Sequence, residues 1–496
     1  MRQFLLAVGS ALLLVLAFPN CNQPWCAWIA LIPWLAGLRR WRGRQAFGWS
    51  YLIGLLFFLG SGWWLIHVTL LGWILLCAYL AAYFGAFGWL VTRLPASRFR
   101  LLTVPAVWVA LEYLRSHPAS LLAGFGWNLL AYSQTPVPAL IQIAALTGAW
   151  GVSFLVVLVN VALLESVSAK PPQAVRPILI AAGCVVLAAR YGYGQLGRQA
   201  PAPSLTVAVA QGNIPQEEKW DEASKDSIFQ HYERLTRQAA NGGPSLIVWP
   251  ETAVPGYLGL DPAVTERVAG LAQAVQAPLL VGAPMAVSRD GVWEMTNSAA
   301  LVDPSGSIVA RYDKLHLVPF GEFIPGERSL PWLRRVLPPI GDFIPGREPV
   351  VFQVPGVDGR PVPFSVLICF EDIFPGMARD FVRRGARLLI TITNDAWFGN
   401  TGAAYQHAQA SAFRAVELHV PMVRAANTGW SGCIDARGRW GDRVRVFSEG
   451  LAVCQVSPGE AGTVYQRWGD WFAGLCLLGT AAGLLASLRR RLASGG

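Results

Sequence analysis

The sequence predicts a multi-pass α-helical membrane domain joined to a water-soluble α/β domain. Of the 496 residues, 53% are hydrophobic and only 14% are charged, whereas soluble globular domains carry about 25% charged residues. The long apolar segments lie at the two ends of the chain, and the region between them has an ordinary soluble composition. We therefore expect a membrane domain at 1–195, a soluble domain at 203–465, and a last apolar helix with a basic tail at 466–496.

About eight apolar segments are candidates for membrane-spanning helices, because a span needs about 20 mainly apolar residues. They are 4–18, 26–38, 47–66, 68–93, 101–116, 139–165, 176–190 and 469–488. The first segment could instead be the core of a signal peptide. No small-residue cleavage site follows it, so we interpret it as a retained helix.

The basic residues between these segments predict which side of the membrane each connection occupies. If the N-terminus is cytoplasmic, the even-numbered connections and the tail are also cytoplasmic. They contain Arg39, Arg40, Arg42, Arg44, Arg93, Arg98, Arg100, Lys170, Arg176, Arg489, Arg490 and Arg491. The opposite connections at 19–24 and around 60–61 contain no Lys or Arg. The positive-inside rule therefore predicts that both termini are cytoplasmic and that the soluble domain lies outside the cytoplasm.

Composition also excludes several classes of function. The net charge of +10 does not predict nucleic-acid binding, because no basic segment with interleaved aromatic residues occurs. The sequence contains no phosphate-binding Walker loop, no serine-hydrolase elbow and no zinc-protease motif. The eight cysteines form no C-x-x-C pair. Cys433 and Cys454 could pair in an extracytoplasmic domain, and the sequence leaves this open.

The soluble region reads as alternating strands and helices. Apolar runs predict strands at Leu205–Ala210, Leu246–Trp249, Leu279–Val281, Ser298–Val302, Ser365–Ile368 and Leu388–Thr393. An amphipathic pattern predicts a helix at Ser224–Ala239, with Ile228, Tyr232 and Leu235 on one face. A second helix is expected at 408–417, and the preceding Tyr405–Gln406–His407 segment is a candidate for lining a substrate site.

Three chemically useful side chains directly follow apolar runs, at the positions where α/β sheets build their sites. Glu251 follows one predicted strand, Cys369 follows another, and Lys314 lies in a polar segment between them. A thiol nucleophile needs a base and a donor that stabilises an oxyanion. A carboxylate, an ammonium group and a thiol can supply these three functions, so the three residues are predicted to form one catalytic site.

The segments around these residues resemble the signature motifs of the nitrilase superfamily. They read Trp-Pro-Glu-Thr at 249–252, Asp-Lys-Leu-His-Leu-Val-Pro-Phe-Gly-Glu at 313–322 and Cys-Phe-Glu-Asp at 369–372. With apolar segments on both sides, nearly the whole chain resembles the membrane-embedded branch of this superfamily, the apolipoprotein N-acyltransferase family. The resemblance implies that the soluble domain is an αββα sandwich.

The resemblance also implies a role for each matching residue. Glu251 would be the general base, Lys314 would stabilise the oxyanion, and Cys369 would be the acylated nucleophile. Glu322 and Glu371 would support these groups. Phe370 stands where some members have Tyr, and its backbone N–H would still serve the oxyanion. Trp220 matches a tryptophan that lies near the acyl chain.

The implied reaction is a ping-pong acyl transfer. An sn-1 acyl chain of a phospholipid, with phosphatidylethanolamine as the expected donor, would pass through a thioester on Cys369. The acceptor would be the α-amino group of the S-diacylglyceryl cysteine of an apolipoprotein. No cofactor, metal or nucleic acid is implied. The expected state is a monomer in the bacterial inner membrane with a periplasmic catalytic domain.

The segment 323–349 is too apolar for an ordinary surface loop. We interpret it as a lid that dips into the outer leaflet and gates lipid entry, with Trp332 and Leu333 binding lipid. The lid residues are Phe323, Ile324, Leu330, Trp332, Leu333, Leu337 and Ile340. The alternative is a loop that packs on the core of the soluble domain.

Two other functions remain open at this point. A membrane-tethered amidase or nitrilase-type hydrolase would use the same three residues with water as the acceptor, but it would not need an apolar lid. A transporter with a binding domain would leave the three motifs unexplained, and the nearly charge-free apolar segments lack the midplane charges of transporters.

Overall fold

The computed structural model describes residues 1–94, 99–117, 124–168, 173–289, 291–319, 321–323 and 342–494. The chain divides into two units. The first contains Met1–Arg198, Thr401–Gln409 and Thr463–Gly496, and the second contains Gln199–Asn400 and Ala410–Gly462. The two apolar ends of the sequence thus fold together. Composition gave no reason to expect that the short internal segment Thr401–Gln409 packs with them.

The first unit is helical. Its α-helices are α1 (Arg2–Leu16), α2 (Ile32–Leu38), α3 (Gly43–Ser61), α4 (Leu70–Arg93), α5 (Arg100–Ser116), α6 (Pro138–Ile141), α7 (Ala144–Thr147), α8 (Ala149–Ser168) and α9 (Val175–Leu196). Short 3₁₀-helices lie at Pro24–Trp28, Trp63–His67 and Leu130–Gln134. Near the C-terminus, Val464–Trp468 and Trp471–Ser494 are also α-helical.

Within the described residues, four helices are long and apolar enough to cross a membrane. They are α4, α8, α9 and Trp471–Arg490 of the C-terminal helix. The single span predicted at 139–165 is wrong, because Gly148 has a left-handed backbone with φ of +69°. An added Cβ there would lie 2.7 Å from the Tyr465 ring. The glycine ends α7, and the long helix α8 begins only at Ala149.

The internal segment Thr401–Gln409 is fixed in the first unit by the carboxamide of Gln406, which is buried. Its Nε2 donates to the carbonyl oxygens of Pro19 (2.7 Å) and Ser61 (2.9 Å). Its Oε1 accepts from the indole N–H groups of Trp64 (3.1 Å) and Trp127 (2.8 Å). One side chain therefore provides a hydrogen-bond partner for four polar groups of the first unit.

The second unit contains two six-stranded sheets. The strands are β1 (Leu205–Gln211), β2 (Leu246–Val248), β3 (Leu279–Arg289), β4 (Val292–Val302), β5 (Ile308–Asp313), β6 (Phe352–Pro355), β7 (Pro361–Ile368), β8 (Leu388–Thr393), β9 (Met422–Ala426), β10 (Ser431–Ile434), β11 (Trp440–Val444) and β12 (Gly450–Val456). The first sheet has the order β12-β1-β2-β3-β4-β5, and the second has the order β11-β10-β9-β8-β7-β6. All six predicted strands are confirmed, although β3, β4 and β7 extend beyond the predicted runs.

The helices of this unit are α10 (Lys225–Ala240), α11 (Pro262–Val275), α12 (Pro375–Arg383) and α13 (Ala403–Leu418), and short 3₁₀-helices lie at Glu222–Ser224, Cys369–Ile373 and Asp395–Phe398. Helix α13 begins in the first unit and ends in the second. The predicted helix at Ser224–Ala239 is confirmed as α10. Its buried Ile228, Tyr232 and Leu235 pack on the first sheet, where Tyr232 stacks on Trp249 at the end of β2.

The topology brings several strand ends to one edge. Strands β1, β2 and β3 are mutually parallel, as are β7, β8 and β9. Strand β5 runs parallel to β3 because β4 is antiparallel to both. The carboxyl ends of β2 and β5 in the first sheet therefore point the same way, as do those of β7 and β8 in the second.

A disulfide joins Cys433 on β10 of the second sheet to Cys454 on β12 of the first. The pairing that the sequence left open is thus present in the structure. The bond crosslinks the two sheets.

The contacts of Gln406 predict its contribution to stability. Gln406→Ala leaves two indole N–H groups and two carbonyl groups without their partner, at about 1–3 kcal/mol for each buried group. We expect the melting temperature of the purified protein, followed by tryptophan fluorescence in detergent, to fall by about 5–10 °C.

The matched control for this variant is Gln409→Ala, one turn further along the same helix, because the buried Oε1 of Gln409 has no hydrogen-bond partner among the described residues. This control should lower the melting temperature much less. Equal decreases in the two variants would contradict the role assigned to Gln406.

Candidate active site

The turn that carries Glu251 directly follows β2 and is conformationally strained. Thr252 has φ of +47°, a region that β-branched residues rarely occupy. The neighbouring strand approaches this turn closely at Gly282, whose carbonyl oxygen accepts from the N–H groups of Ala253 (2.9 Å) and Val254 (3.1 Å). A Cβ at Gly282 would lie 2.2 Å from the Pro250 oxygen, so glycine is required there. The turn is thereby locked against β3.

Lys314 directly follows β5, and its buried ammonium group lies between two carboxylates. Its Nζ is 3.4 Å from Glu251 Oε1 and 2.9 Å from Glu322 Oε2. The Lys314 side chain is only 1% exposed. Burial alone would lower the pKa of Lys314, but the Glu322 and Glu251 carboxylates outweigh it and hold this pKa above its usual range. Lys314 therefore stays positively charged.

Asn297, a buried residue of β4, joins the two carboxylates through its amide group. Its Nδ2 donates to Glu251 Oε1 (2.7 Å) and to Glu322 Oε1 (2.9 Å). Its backbone oxygen accepts from the N–H of Lys314 (2.9 Å). The side chain of Glu322 is also fixed by the N–H of Val318, which donates to Oε2 at 2.8 Å. The positions of all three charged groups are thus determined by the first sheet.

The second oxygen of Glu251 faces the other sheet. Its Oε2 accepts from the backbone N–H of Asn394, at 3.0 Å, directly after β8. A carboxylate oxygen has about two acceptor positions, and Oε1 already accepts from Asn297 and Lys314. Oε2 therefore retains capacity for one more proton donor.

Cys369 ends β7 and begins the 3₁₀-helix Cys369–Ile373. Its φ of +54° is unusual for a residue other than glycine and marks a sharp turn from strand to helix. Burial is the largest cause that raises the pKa of the Cys369 thiol well above its usual range, and the Glu251 carboxylate is the next largest. Lys314 and a hydrogen bond with Thr393 act in the opposite direction. The raised pKa favours the protonated form of this thiol.

Glu371 ties the segment after β5 to the end of β7. Its Oε1 accepts from the Tyr312 hydroxyl (2.8 Å) and from the N–H groups of Leu315 (2.7 Å) and His316 (3.0 Å). Its Oε2 accepts from the N–H of Ile368 (2.7 Å), next to Cys369. Burial raises the pKa of Glu371 to about 7, against these hydrogen bonds and the positive charge of Lys314. The residue fixes the Lys314 segment relative to Cys369.

The residues after Cys369 pack firmly. The Phe370 ring is buried and contacts the rings of His316 and Phe374. Asp372, which is fully buried, accepts from Ser411 on α13 (2.5 Å) and from Arg424 on β9 (2.7 Å). These contacts anchor the 3₁₀-helix, so the backbone N–H groups that follow the thiol have fixed directions.

A second buried lysine supports the turn of Glu251. Lys219 is buried, with only 6% of the residue exposed. Its Nζ donates to the backbone oxygen of Glu251 (3.0 Å) and to Oγ1 of Thr252 (3.1 Å). Burial lowers the pKa of Lys219 to about 8, while Glu251 and Cys369 act in the opposite direction. Lys219 thus holds the strained residue next to the carboxylate.

The structure brings together most of the predicted site residues. Glu251, Lys314 and Glu322 are in direct contact, Cys369 interacts electrostatically with the first two, and Glu371 connects the segments. The Trp220 side chain is 53% exposed, although the adjacent Lys219 reaches the Glu251 turn. The predicted lipid-binding residues Trp332 and Leu333 lie outside the described residues, as do the other lid residues except Phe323.

Sequence reasoning missed three residues of the site. Asn394 directly follows the predicted strand at Leu388–Thr393. The criterion that identified Cys369, a polar residue directly after an apolar strand, would therefore also have identified Asn394. Asn297 interrupts an apolar strand, and a buried polar residue of that kind signals a hydrogen-bonded role. For Lys219, in the run Glu-Glu-Lys-Trp at 217–220, the sequence offers no signal.

Comparisons with known proteins match both parts of the chain. A family model described as carbon-nitrogen hydrolase matches residues 206–466, and one described as apolipoprotein N-acyltransferase N-terminal domain matches residues 10–162. A relative from Geobacter metallireducens, named apolipoprotein N-acyltransferase, is 40% identical and covers 99% of this chain and 96% of its own length. A relative of the same name from Chlorobaculum tepidum is 31% identical and covers 99% of this chain and 97% of its own.

Similarity to solved structures is weaker. The amidase of the nitrilase superfamily from Nesterenkonia AN1 is 20% identical, covers 56% of this chain and 100% of its own, and gives a TM-score of 0.42.

The two sheets and the cysteine site define a carbon-nitrogen hydrolase domain, here preceded and followed by apolar helices. The relatives match the chain over nearly its full length, and the chain therefore belongs to the apolipoprotein N-acyltransferase family. The family expected from the three motifs is thereby confirmed, and with it the expectation of an acyltransferase.

Lys219 provides a test of the site geometry. Lys219→Met keeps the length of the side chain but removes both hydrogen bonds to the Glu251 turn. Hydrogen bonds from charged donors contribute about 1.5–3 kcal/mol. We expect the single-turnover rate of acylation to fall about 10- to 100-fold, with little change in KM for the lipid.

The control for this variant is Lys225→Met, because Lys225 is a partly exposed residue that pairs with Glu222 on the surface. Quenched-flow sampling with intact-mass detection measures the acylation rate in both variants. An acylation rate in Lys219→Met equal to that of the control would contradict the positioning role.

Proposed function

We propose that this protein transfers an acyl chain from a phospholipid to the α-amino group of the S-diacylglyceryl cysteine that begins an apolipoprotein. The observation that carries the proposal is the match along both domains to proteins named apolipoprotein N-acyltransferase. The geometry around Cys369 supports the chemistry, because it combines a neutral thiol, the carboxyl group of Glu251 and the fixed ammonium group of Lys314.

In the first half-reaction, Glu251 takes the proton of the Cys369 thiol through its available Oε2. The sulfur attacks the sn-1 ester carbonyl carbon, and the carbonyl oxygen becomes negatively charged. The Lys314 ammonium and the backbone N–H of Phe370 stabilise this oxyanion. The C–O bond then breaks, and the sn-1 oxygen takes the proton from Glu251. A lysophospholipid leaves, and the acyl chain remains on Cys369 as a thioester.

In the second half-reaction, the neutral α-amino group of the acceptor attacks the thioester. Glu251 takes the proton released by the amine, the C–S bond breaks, and the sulfur recovers a proton from Glu251. The product is an amide and the resting enzyme. A thioester suits this exchange, because it is more reactive toward an amine than the original ester.

A protonated resting thiol also fits this sequence of steps. A permanent thiolate beside the Glu251 carboxylate would place two buried negative charges together, which is costly. Because the proton moves to Glu251 only during attack, the site keeps one fewer negative charge between turnovers. Glu322 and Glu371 hold the reacting groups in position without exchanging protons with the substrate.

Both substrates are lipids, which accounts for apolar helices on each side of the catalytic domain. We assign Trp220, with its exposed ring, together with Trp332 and Leu333, to the lipid-binding surface. Phosphatidylethanolamine is the proposed donor, and a monomer is the proposed state.

The proposal includes about eight membrane-spanning segments, with α8 in place of the span predicted at 139–165, two cytoplasmic termini and a periplasmic catalytic domain in the inner membrane. The distribution of Arg and Lys supports this orientation. The disulfide between Cys433 and Cys454 supports it further, because disulfides persist in oxidising compartments such as the periplasm. Alkaline phosphatase fused after Gly496 should be inactive in cells, and an active fusion would reverse the orientation.

The competing function is a hydrolase that uses the same site with water as the acceptor. A transfer assay separates the two. We expect purified protein in detergent, with phosphatidylethanolamine and a diacylglyceryl-cysteine peptide, to add one acyl chain to the peptide's α-amine and release lysophospholipid. Cys369→Ser should lose nearly all of this activity, because a serine hydroxyl lacks the acidity of a thiol. Mass spectrometry measures both products.

The outcomes of this assay are distinct. Release of free fatty acid without acylation of the peptide would support the hydrolase and contradict the proposed function. Transfer that persists in Cys369→Ser at the wild-type rate would contradict the proposed nucleophile.

A further inference from the structure

A cleft of about 430 Å³ in the first unit is lined by residues from three parts of the chain that are distant in sequence. Leu38 ends α2, Arg39 follows it, and Arg42 immediately precedes α3. Arg100 begins α5, and Glu165 lies in the last turn of α8. None of the proposed catalytic side chains belongs to this cleft.

The described lining residues give the cleft a positive charge. Glu165 is 3.1 Å from the guanidinium group of Arg39 and 3.1 Å from that of Arg100, so two cations share one carboxylate. Arg42 instead donates to the neutral carbonyl oxygens of Leu38 (3.0 Å) and Trp41 (2.9 Å). Three arginines and one glutamate leave two positive charges facing one cleft.

The positive-inside rule does not by itself explain this arrangement. That rule requires only that basic residues lie on the cytoplasmic side of the membrane. It does not require Arg39, Arg42 and Arg100, which come from two different connections, to converge on the same cleft. A shared anionic ligand gives the convergence a physical reason, because it would relieve the repulsion among the three guanidinium groups.

The chemistry of the lining identifies the class of ligand. A guanidinium group presents a planar fork of donors that matches the oxygens of a phosphate. Apolar side chains of Leu38, Val91 and Leu94 lie beside the arginines in the same cleft. A free phosphate ion makes no favourable contact with apolar side chains, whereas the glycerol and first acyl carbons of a phospholipid can pack against them. Basic pockets between membrane helices on the cytoplasmic side suit anionic headgroups.

We propose that this cleft binds the phosphate headgroup of an anionic phospholipid from the cytoplasmic leaflet. Arg42 and Arg100 contact the phosphate oxygens, and Glu165 holds Arg39 and Arg100 in place between binding events. The site is separate from the proposed acyl-transfer site, so its occupancy can be measured independently of catalysis.

Native mass spectrometry of the full-length protein in detergent tests the proposal by titration with dioleoyl phosphatidylglycerol. We expect saturable binding of this lipid, with dioleoyl phosphatidylcholine binding much more weakly. Arg42→Gln and Arg100→Gln should each raise the dissociation constant for phosphatidylglycerol about tenfold or more, because each removes a charge-assisted hydrogen bond. Arg42→Lys keeps the positive charge but lacks the planar pair of guanidinium donors. Its dissociation constant should lie between those of wild type and Arg42→Gln.

The matched controls are Arg40→Gln and Arg44→Gln, which remove the same charge from the same basic segment outside the cleft. They should leave the dissociation constant nearly unchanged. An equal effect of Arg44→Gln and Arg42→Gln would show diffuse attraction to the surface and overturn the proposal. A melting curve of each variant separates weak binding from misfolding.

Inorganic phosphate distinguishes the two possible sources of the ligand. We expect inorganic phosphate at millimolar concentration to leave bound phosphatidylglycerol in place. Full displacement of the lipid by phosphate would identify a site for the free ion and overturn the lipid assignment. Absence of saturable binding of phosphatidylglycerol to wild type would overturn the proposal as well.

Discussion

The catalytic unit depends on one buried interaction, the ammonium group of Lys314 held between the carboxylates of Glu251 and Glu322. Breaking a buried ion pair by removing one partner typically costs about 3–5 kcal/mol, because the other charge is left uncompensated. The three groups therefore require one another, and Asn297 fixes them through hydrogen bonds to both carboxylates. This constraint decides where the turn after β2 and the segment after β5 must lie.

The same constraint relates the two sheets. Glu251 reaches from the first sheet to the Asn394 N–H of the second, and Glu371 reaches from the second sheet to the Tyr312 hydroxyl of β5 and to two N–H groups that follow this strand. In the proposed mechanism, Glu251 is the base for the neutral thiol of Cys369. On this proposal the thiol becomes reactive only when a carbonyl group enters, which limits the side reactions that a permanent thiolate would undergo.

The sequence predicted that Glu251, Lys314 and Cys369 share one site, because Glu251 and Cys369 follow predicted strands and all three lie in recognisable motifs. It also predicted six of the twelve described strands, most of them buried strands in a parallel arrangement, which read as continuous apolar runs. It could not predict Lys219, whose role depends on the strained backbone of Thr252. It placed one helix wrongly, because the left-handed conformation of Gly148 depends on packing against Tyr465. The insertion of Gln406 into the first unit likewise depends on tertiary contacts that no local pattern encodes.

The most direct test of the central claim is to locate the covalent intermediate. Purified protein is incubated with phospholipid in the absence of an acceptor, digested, and mapped by peptide mass spectrometry. The mechanism requires one acyl chain on the peptide that contains Cys369, released by neutral hydroxylamine as expected of a thioester. An acyl chain on any other residue, or turnover in the complete reaction without acylation of Cys369, would contradict it.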